Sequence, residues 1–185
     1  MDMELLDPSF SNSPVEWKFI DCGESVKQAY KEALETYFKD DPTIREAKIR
    51  FIFYSKQKKV RGNVAFAYVK KPSDFESYLD SRSDPNGEPA NYFMFIDYYV
   101  WNNIEKEYQL RLMRHELRHI DIDYDKNGDL VFGLKDHDFQ DFEVDIDYEN
   151  NQEDGDVKWG HVLLEASINA YEEVEEKKKE MKDSE

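Results

Sequence analysis

In the stretch Arg111 to Asp125, RLMRHELRHIDIDYD, two histidines stand four residues apart and a glutamate follows the first, in a chain with only four histidines. If the stretch is helical, His115 and His119 project in nearly the same direction, about 40° apart. Two imidazoles so placed can reach one tetrahedral zinc ion at roughly 2 Å. Glu116 then points to the flank where a water on the metal would sit. From there it can take the water's proton and hand it to a leaving amine, while the metal lowers the water's pKa and polarises the scissile carbonyl. The pattern His-Glu-x-x-His on a helix therefore suits metal-assisted hydrolysis of a peptide bond. The plain alternative is that both histidines pack or cap a helix end near Asp121 and Asp123.

A catalytic zinc site needs a third protein ligand. After His119, Ile120, Ile122 and Tyr124 alternate with aspartates, DKNGD turns the chain, and Leu130, Phe132 and Leu134 alternate again. This reads as a β-hairpin. With the turn centred near Asn127, residues 119 and 135 fall opposite each other, so the chain returns to the metal end of the helix just before His137. His137 is the predicted third ligand, with Asp141 or Glu143 as alternatives. Asp138 and Asp141 are candidates to accept a hydrogen bond from a ligand's second nitrogen and so fix its tautomer. His161, in KWGHVLLEA, opens the last helix and reads as packed or solvated there. The residues Asp123, Asp125, Asn127, Gly128 and Asp129 imitate a calcium loop, but Leu134 occupies the position that needs a bidentate glutamate. A plain hairpin turn is the better reading.

The elements that must carry these residues follow from periodicity. SVKQAYKEALETYF, Ser25 to Phe38, has Val26, Tyr30, Leu34 and Phe38 at helical spacing, with Glu24 or Ser25 near its start. AKIRFIFYS and NVAFAYVKK alternate as strands around a polar KQKKVRG turn and together suggest a hairpin. PSDFESYLDSRSDPNGEPA is rich in turn formers and reads as a surface loop with about one helical turn. NYFMFID, Asn91 to Asp97, is a further strand. One helix is predicted from about Tyr99 to His119, with Ile104, Tyr108, Leu112, His115 and His119 on one stripe and Arg111, Arg114 and Arg118 on another. HVLLEASINAYEEVEEKKKEMKDSE is an amphipathic helix that ends in a solvated charged tail. The expected organisation is a tail at 1–13, one domain at 14–172 and a charged helix end or tail at 173–185.

Composition narrows the partners. At 185 residues the chain suits one domain with a substantial core. Charged residues reach 36% but aromatics reach 15%, enough to bury surface and fold. The net charge of −17 argues against direct nucleic-acid binding, which needs a dense basic surface. Between Asp121 and Asp156 the only basic residues are Lys126 and Lys135, so this region should carry strongly negative potential. A solvated acidic face is the plain reading, and steering of a basic peptide or protein toward the metal is the functional one. The arginine stripe is expected to pair with those acids. Cys22, the single cysteine, excludes an intramolecular disulfide and reads as a small buried apolar side chain. With no basic, apolar leader and no long apolar segment, the chain is expected in the cytoplasm and off the membrane.

The order of the strand YFMFID, the helix closing in HELRHI, the hairpin DIDYDKNGDLVFGL and then KDHDFQDF resembles the phage metallopeptidase family, a zincin-like group related in layout to SprT-like proteases. The resemblance covers about residues 92 to 142. It implies an α+β zincin-like domain with a short mixed or antiparallel sheet, Zn2+ as cofactor, and His115, His119 and His137 as ligands with Glu116 as general base. It also implies a peptide or protein substrate and, for a phage-encoded protein, the host cytoplasm. The rival expectation is a non-enzymatic acidic binding protein, such as a DNA mimic or inhibitor seated in a basic groove. A third is zinc used only to hold the fold.

Overall fold

The computed structural model describes residues 19–60, 63–83, 86–136 and 159–183. The class is α+β, as expected. In chain order the elements are β1 Phe19–Asp21, α1 Glu24–Tyr37, a short 3-10 turn Thr43–Glu46, β2 Ile49–Tyr54, β3 Lys58–Val60, β4 Asn63–Ala65 and β5 Ala67–Lys70. They continue with α2 Asp74–Ser83, β6 Tyr92–Asp97, α3 Tyr98–Asn103, α4 Lys106–Arg118, β7 Ile120–Tyr124, β8 Leu130–Leu134 and α5 Trp159–Lys182.

The main sheet has the order β1-β2-β6-β5. Its centre is β6, all six residues of which are buried, as suits a strand covered on both faces. β2 pairs with β6 in parallel, Ile49 opposite Tyr92, while β5 pairs with β6 antiparallel, Ala67 opposite Ile96. This corrects the expected hairpin of AKIRFIFYS with NVAFAYVKK. The turn between them forms its own small ladder, β3 with β4, and the more apolar β6 takes the place between β2 and β5.

On one face, Phe53, Met94 and Ile96 meet Val26, Ala33 and Leu34 of α1, Val100 and Trp101 of α3, Leu112, Met113 and Leu117 of α4, and Leu163 of α5. Each fully buried side chain of the size of Met113 or Leu117 stabilises the fold by about 1.5–3 kcal/mol. Cys22 is buried in the same cluster, as its plain reading required. The opposite face carries Tyr54, Phe93 and Phe95, with Tyr68 stacked on Phe95.

α2 lies where a loop with one helical turn was expected. Ser73 and Glu76 form a reciprocal capping box: Ser73 N donates to Glu76 Oε2 at 2.8 Å and Glu76 N to Ser73 Oγ at 3.4 Å. The helix then turns a polar face inward. Buried Asp80 accepts from Arg50 Nε at 2.8 Å and from Ala90 N at 2.7 Å. Phe75, Tyr78 and Leu79 point outward, 69%, 55% and 49% exposed. An inside-out helix has no apolar inward stripe, so periodicity could not reveal it.

The single helix expected from Tyr99 to His119 is two. Ile104 and Glu105 between them are extended, with ψ of 151° and 158°. Asp97 caps α3 by accepting from Tyr99 N and Val100 N at 3.0 and 3.1 Å. Asn102 and Asn103 donate back to the carbonyls of Tyr98 and Tyr99, and Gln109 Nε2 donates across the break to Trp101 O, all at 2.8 Å. Side-chain amides thus satisfy groups that a continuous helix would have used.

Asp97 is fully buried and also accepts from Tyr171 of α5 at 2.9 Å. Burial pushes its carboxyl up to about 6, against the hydrogen bonds that favour the charged form. A carboxyl raised on folding holds its proton longer in the native state, so its contribution to stability falls as pH climbs from about 4 to about 6. The shift corresponds to about 3 kcal/mol. Asp97→Asn keeps the cap and lets the amide donate to Tyr171. Relative to wild type, the variant should gain up to about 3 kcal/mol between pH 3.5 and pH 7. Urea unfolding at the two pH values checks this, and a pH-independent difference would show that Asp97 is not the titrating group.

Candidate metal centre

α4 delivers its histidines as its spacing requires. His119 is the first residue beyond the last helical position but keeps right-handed angles, φ −71° and ψ −17°, and its N–H bonds back to Glu116 O and Leu117 O. The rings of His115 and His119 therefore stay neighbours, with centroids 5.3 Å apart and planes at 80°. Both residues are half-buried.

The hairpin has the register read from the sequence. Ile120 pairs with Leu134, Ile122 with Phe132 and Tyr124 with Leu130, and the ladder continues one residue outward, where Lys135 N donates to His119 O at 2.8 Å. The His119 ring joins the same rung, with Nδ1 2.8 Å from Lys135 O. A carbonyl oxygen can only accept, so Nδ1 carries a hydrogen.

Glu116 lies inside, only 4% exposed. Its Oε2 is buried and accepts no hydrogen bond among the described residues. Desolvation pushes the carboxyl up to about 7, with the nearby His115 charge opposing the shift. Buried polar atoms in proteins generally have a partner, so Oε2 is a candidate to meet a water or ligand at this site.

The arginine stripe runs onto α1. Arg114, almost fully buried, sits 5.1 Å over the Tyr37 ring, and Arg118 sits 5.3 Å over Phe38. Arg111 meets Glu107 one turn back at 2.8 Å. These contacts join α1 to α4 through cation–π packing. In the turn, Asp125 Oδ1 accepts from Asn127 N at 2.7 Å and Asp129 N at 3.0 Å, and Gly128 takes a φ of 85°. These backbone bonds hold the Asp125 carboxyl below its ordinary value. Hairpin geometry thus engages the carboxylate that a calcium loop would have used.

Lys135 and Asp136 are described; His137, Asp138, Asp141 and Glu143 lie outside the described residues, as does the side chain of His161. Among the described residues, no group of three His, Cys, Asp or Glu side chains could hold a metal ion. The pair that is described is of the kind that binds zinc: two adjacent imidazoles beside a buried Glu116 carboxyl whose Oε2 accepts no hydrogen bond among the described residues. Sequence reasoning missed Tyr92, whose hydroxyl reaches the hairpin, and Asp97. Asp97 had a signal, as an aspartate immediately before a helical run.

The α+β domain thus sets the His115 and His119 rings at the end of α4 beside the buried Glu116 carboxyl. The chain belongs to the family described as "Putative phage metallopeptidase", whose profile matches residues 18–175. The match runs from β1 into α5 and includes the whole of α4 and the hairpin. Neither a curated protein nor a solved structure matches the chain. Among the described residues, no helix is long and apolar enough to cross a membrane.

Proposed function

We propose that the protein is a zinc-dependent peptidase in which His115, His119 and His137 hold the metal and Glu116 is the general base. The observation that carries this reading is Glu116: its carboxyl is buried beside the histidine pair, pushed up to about 7, with Oε2 accepting no hydrogen bond among the described residues. Zinc bound there would lower the pKa of a water molecule and polarise the scissile carbonyl. Glu116 takes a proton from the attacking water and passes it to the leaving amine nitrogen, so that water adds across the peptide bond to give a carboxylic acid and an amine, which at neutral pH become a carboxylate and an ammonium. A carboxyl whose pKa lies near neutrality is suited to both transfers. Burial keeps bulk water from solvating its charge.

Lys135 O, against Nδ1 of His119, would orient that ring so that Nε2 could serve as the ligand atom. Asp138 and Asp141 are the candidates to do the same for His137. The acidic run between Asp121 and Asp156 favours a basic, unfolded segment as substrate. The catalytic unit is residues 14–172, and its place of action is the cytoplasm, that of the host for a phage protein.

The test is cleavage of a labelled, unfolded, lysine-rich protein by the zinc-loaded full chain. Fragments should accumulate, stop with a chelator and resume on adding zinc. A chain with zinc bound that cuts none of a panel of unfolded substrates would argue for metal in a purely structural role.

A further inference from the structure

We propose that Tyr92 is a positioning residue for the metal centre: its buried hydroxyl ties the β7–β8 hairpin to the central strand and thereby sets which nitrogen of His119 is offered to a metal. The inference rests on the metal-site reading above.

Tyr92 opens β6 and is fully buried. Its hydroxyl stands 2.8 Å from Gly133 O and 3.0 Å from Asp121 O. Those two residues face each other across the hairpin. One hydroxyl hydrogen therefore serves the carbonyls of both strands at a single rung. The Tyr92 ring adds an edge contact to Phe132, with centroids 6.0 Å apart. The two strands are close at this rung, since a Cβ on Gly133 would stand 3.2 Å from Asp121 Oδ2. A side chain there would crowd the rung that Tyr92 grips.

The next rung but one is the pair His119 and Lys135. α4 has ended before His119, so the helix alone does not fix the imidazole. The ring is fixed by Lys135 O, which is in place only while β8 is seated. A neutral imidazole in water prefers its hydrogen on Nε2, the nitrogen that the motif needs bare. The hairpin reverses that preference by giving Nδ1–H an acceptor, and Tyr92 links the hairpin to the rigid strand at the middle of the sheet. The path from Tyr92 to the metal thus runs through two hydrogen-bonded rungs, and the hydroxyl touches neither substrate nor ion.

The experiment is side-chain 15N NMR of His119 in the metal-free full chain, together with zinc affinity by competition with a chromophoric chelator, for wild type and Tyr92→Phe. Wild type should show His119 with hydrogen on Nδ1. Tyr92→Phe, which keeps the ring, should show a growing Nε2–H population, faster exchange of the Lys135 amide and zinc affinity weaker by about 10-fold. A variant with unchanged tautomer overturns the proposal whatever its affinity, and a shifted tautomer with unchanged affinity overturns the link to the metal. If the variant does not fold, wild type decides: His119 with hydrogen on Nε2 overturns the proposal, and Nδ1–H with a slowly exchanging Tyr92 hydroxyl proton supports it. Wild type that binds no zinc defeats the metal-site reading separately, because the tautomer is measured without metal.

Discussion

Glu116→Gln should leave a folded protein that still binds zinc but hydrolyses peptide bonds at least about 100-fold more slowly, the scale on which a general base acts. Glutamine matches the size of the glutamate, so the packing of α4 against the sheet is kept. It cannot accept the water's proton at neutral pH, so the transfer to the leaving amine is lost with it. The variant also removes a carboxyl that burial holds near pH 7. The metal-free form should therefore melt no lower than wild type at pH 8, where the buried charge is costliest. Turnover with casein-type substrates, metal content and thermal unfolding on the same preparations separate the alternatives. Full activity in the variant would move the base elsewhere. A wild type without turnover that instead binds a basic protein, losing it as salt rises and ignoring both chelator and Glu116→Gln, would favour the acidic binding protein.

Removal of a ligand should have the second large effect. After dialysis against metal-free buffer, wild type should retain about one zinc per chain, as three protein ligands allow. His115→Ala and His119→Ala should each lose it, with affinity falling by more than the roughly 10- to 100-fold that loss of an outer hydrogen-bond partner costs. His137→Ala should behave the same way. Zinc retained in that variant alone would transfer the third role to Asp141, Glu143 or His161. Zinc absent from a zinc-supplied wild type would make the helix motif an accident of an acidic chain.

How far these residues were legible depended on whether their order is local. The histidine pair follows from helical spacing, and the pairing of residue 119 with residue 135 follows from one turn and strict alternation, so both could be read from the chain. α1, the strand at β6 and α5 were readable for the same reason. The neighbours of β6 were not, because alternation marks a strand without naming its partners. The break at Ile104 escaped since neither glycine nor proline marks it; the amides of Asn102, Asn103 and Gln109 do the work. α2 was hidden by its polar inward face, although Ser73 with Glu76 was a capping signal open to reading. Tyr92 could not be found at all from sequence, since its hydroxyl acts on carbonyls that lie 29 and 41 residues further along.

The insertion of β6 between β2 and β5 also constrains how the molecule reaches this state. Pairing Ile49 with Tyr92 closes a loop of more than forty residues, within which β3, β4, β5 and α2 must find their places. Closing such a loop costs chain entropy before the parallel ladder returns any stabilisation, and non-local pairings of this kind slow folding. Tyr92, which grips the hairpin, lies in the strand that this step installs. α4 can coil early, as helices do, and bring His115 near His119 by itself. The His119 ring is held within the hairpin itself, and Tyr92 can tie that hairpin to the sheet only from a strand whose pairing closes the long loop.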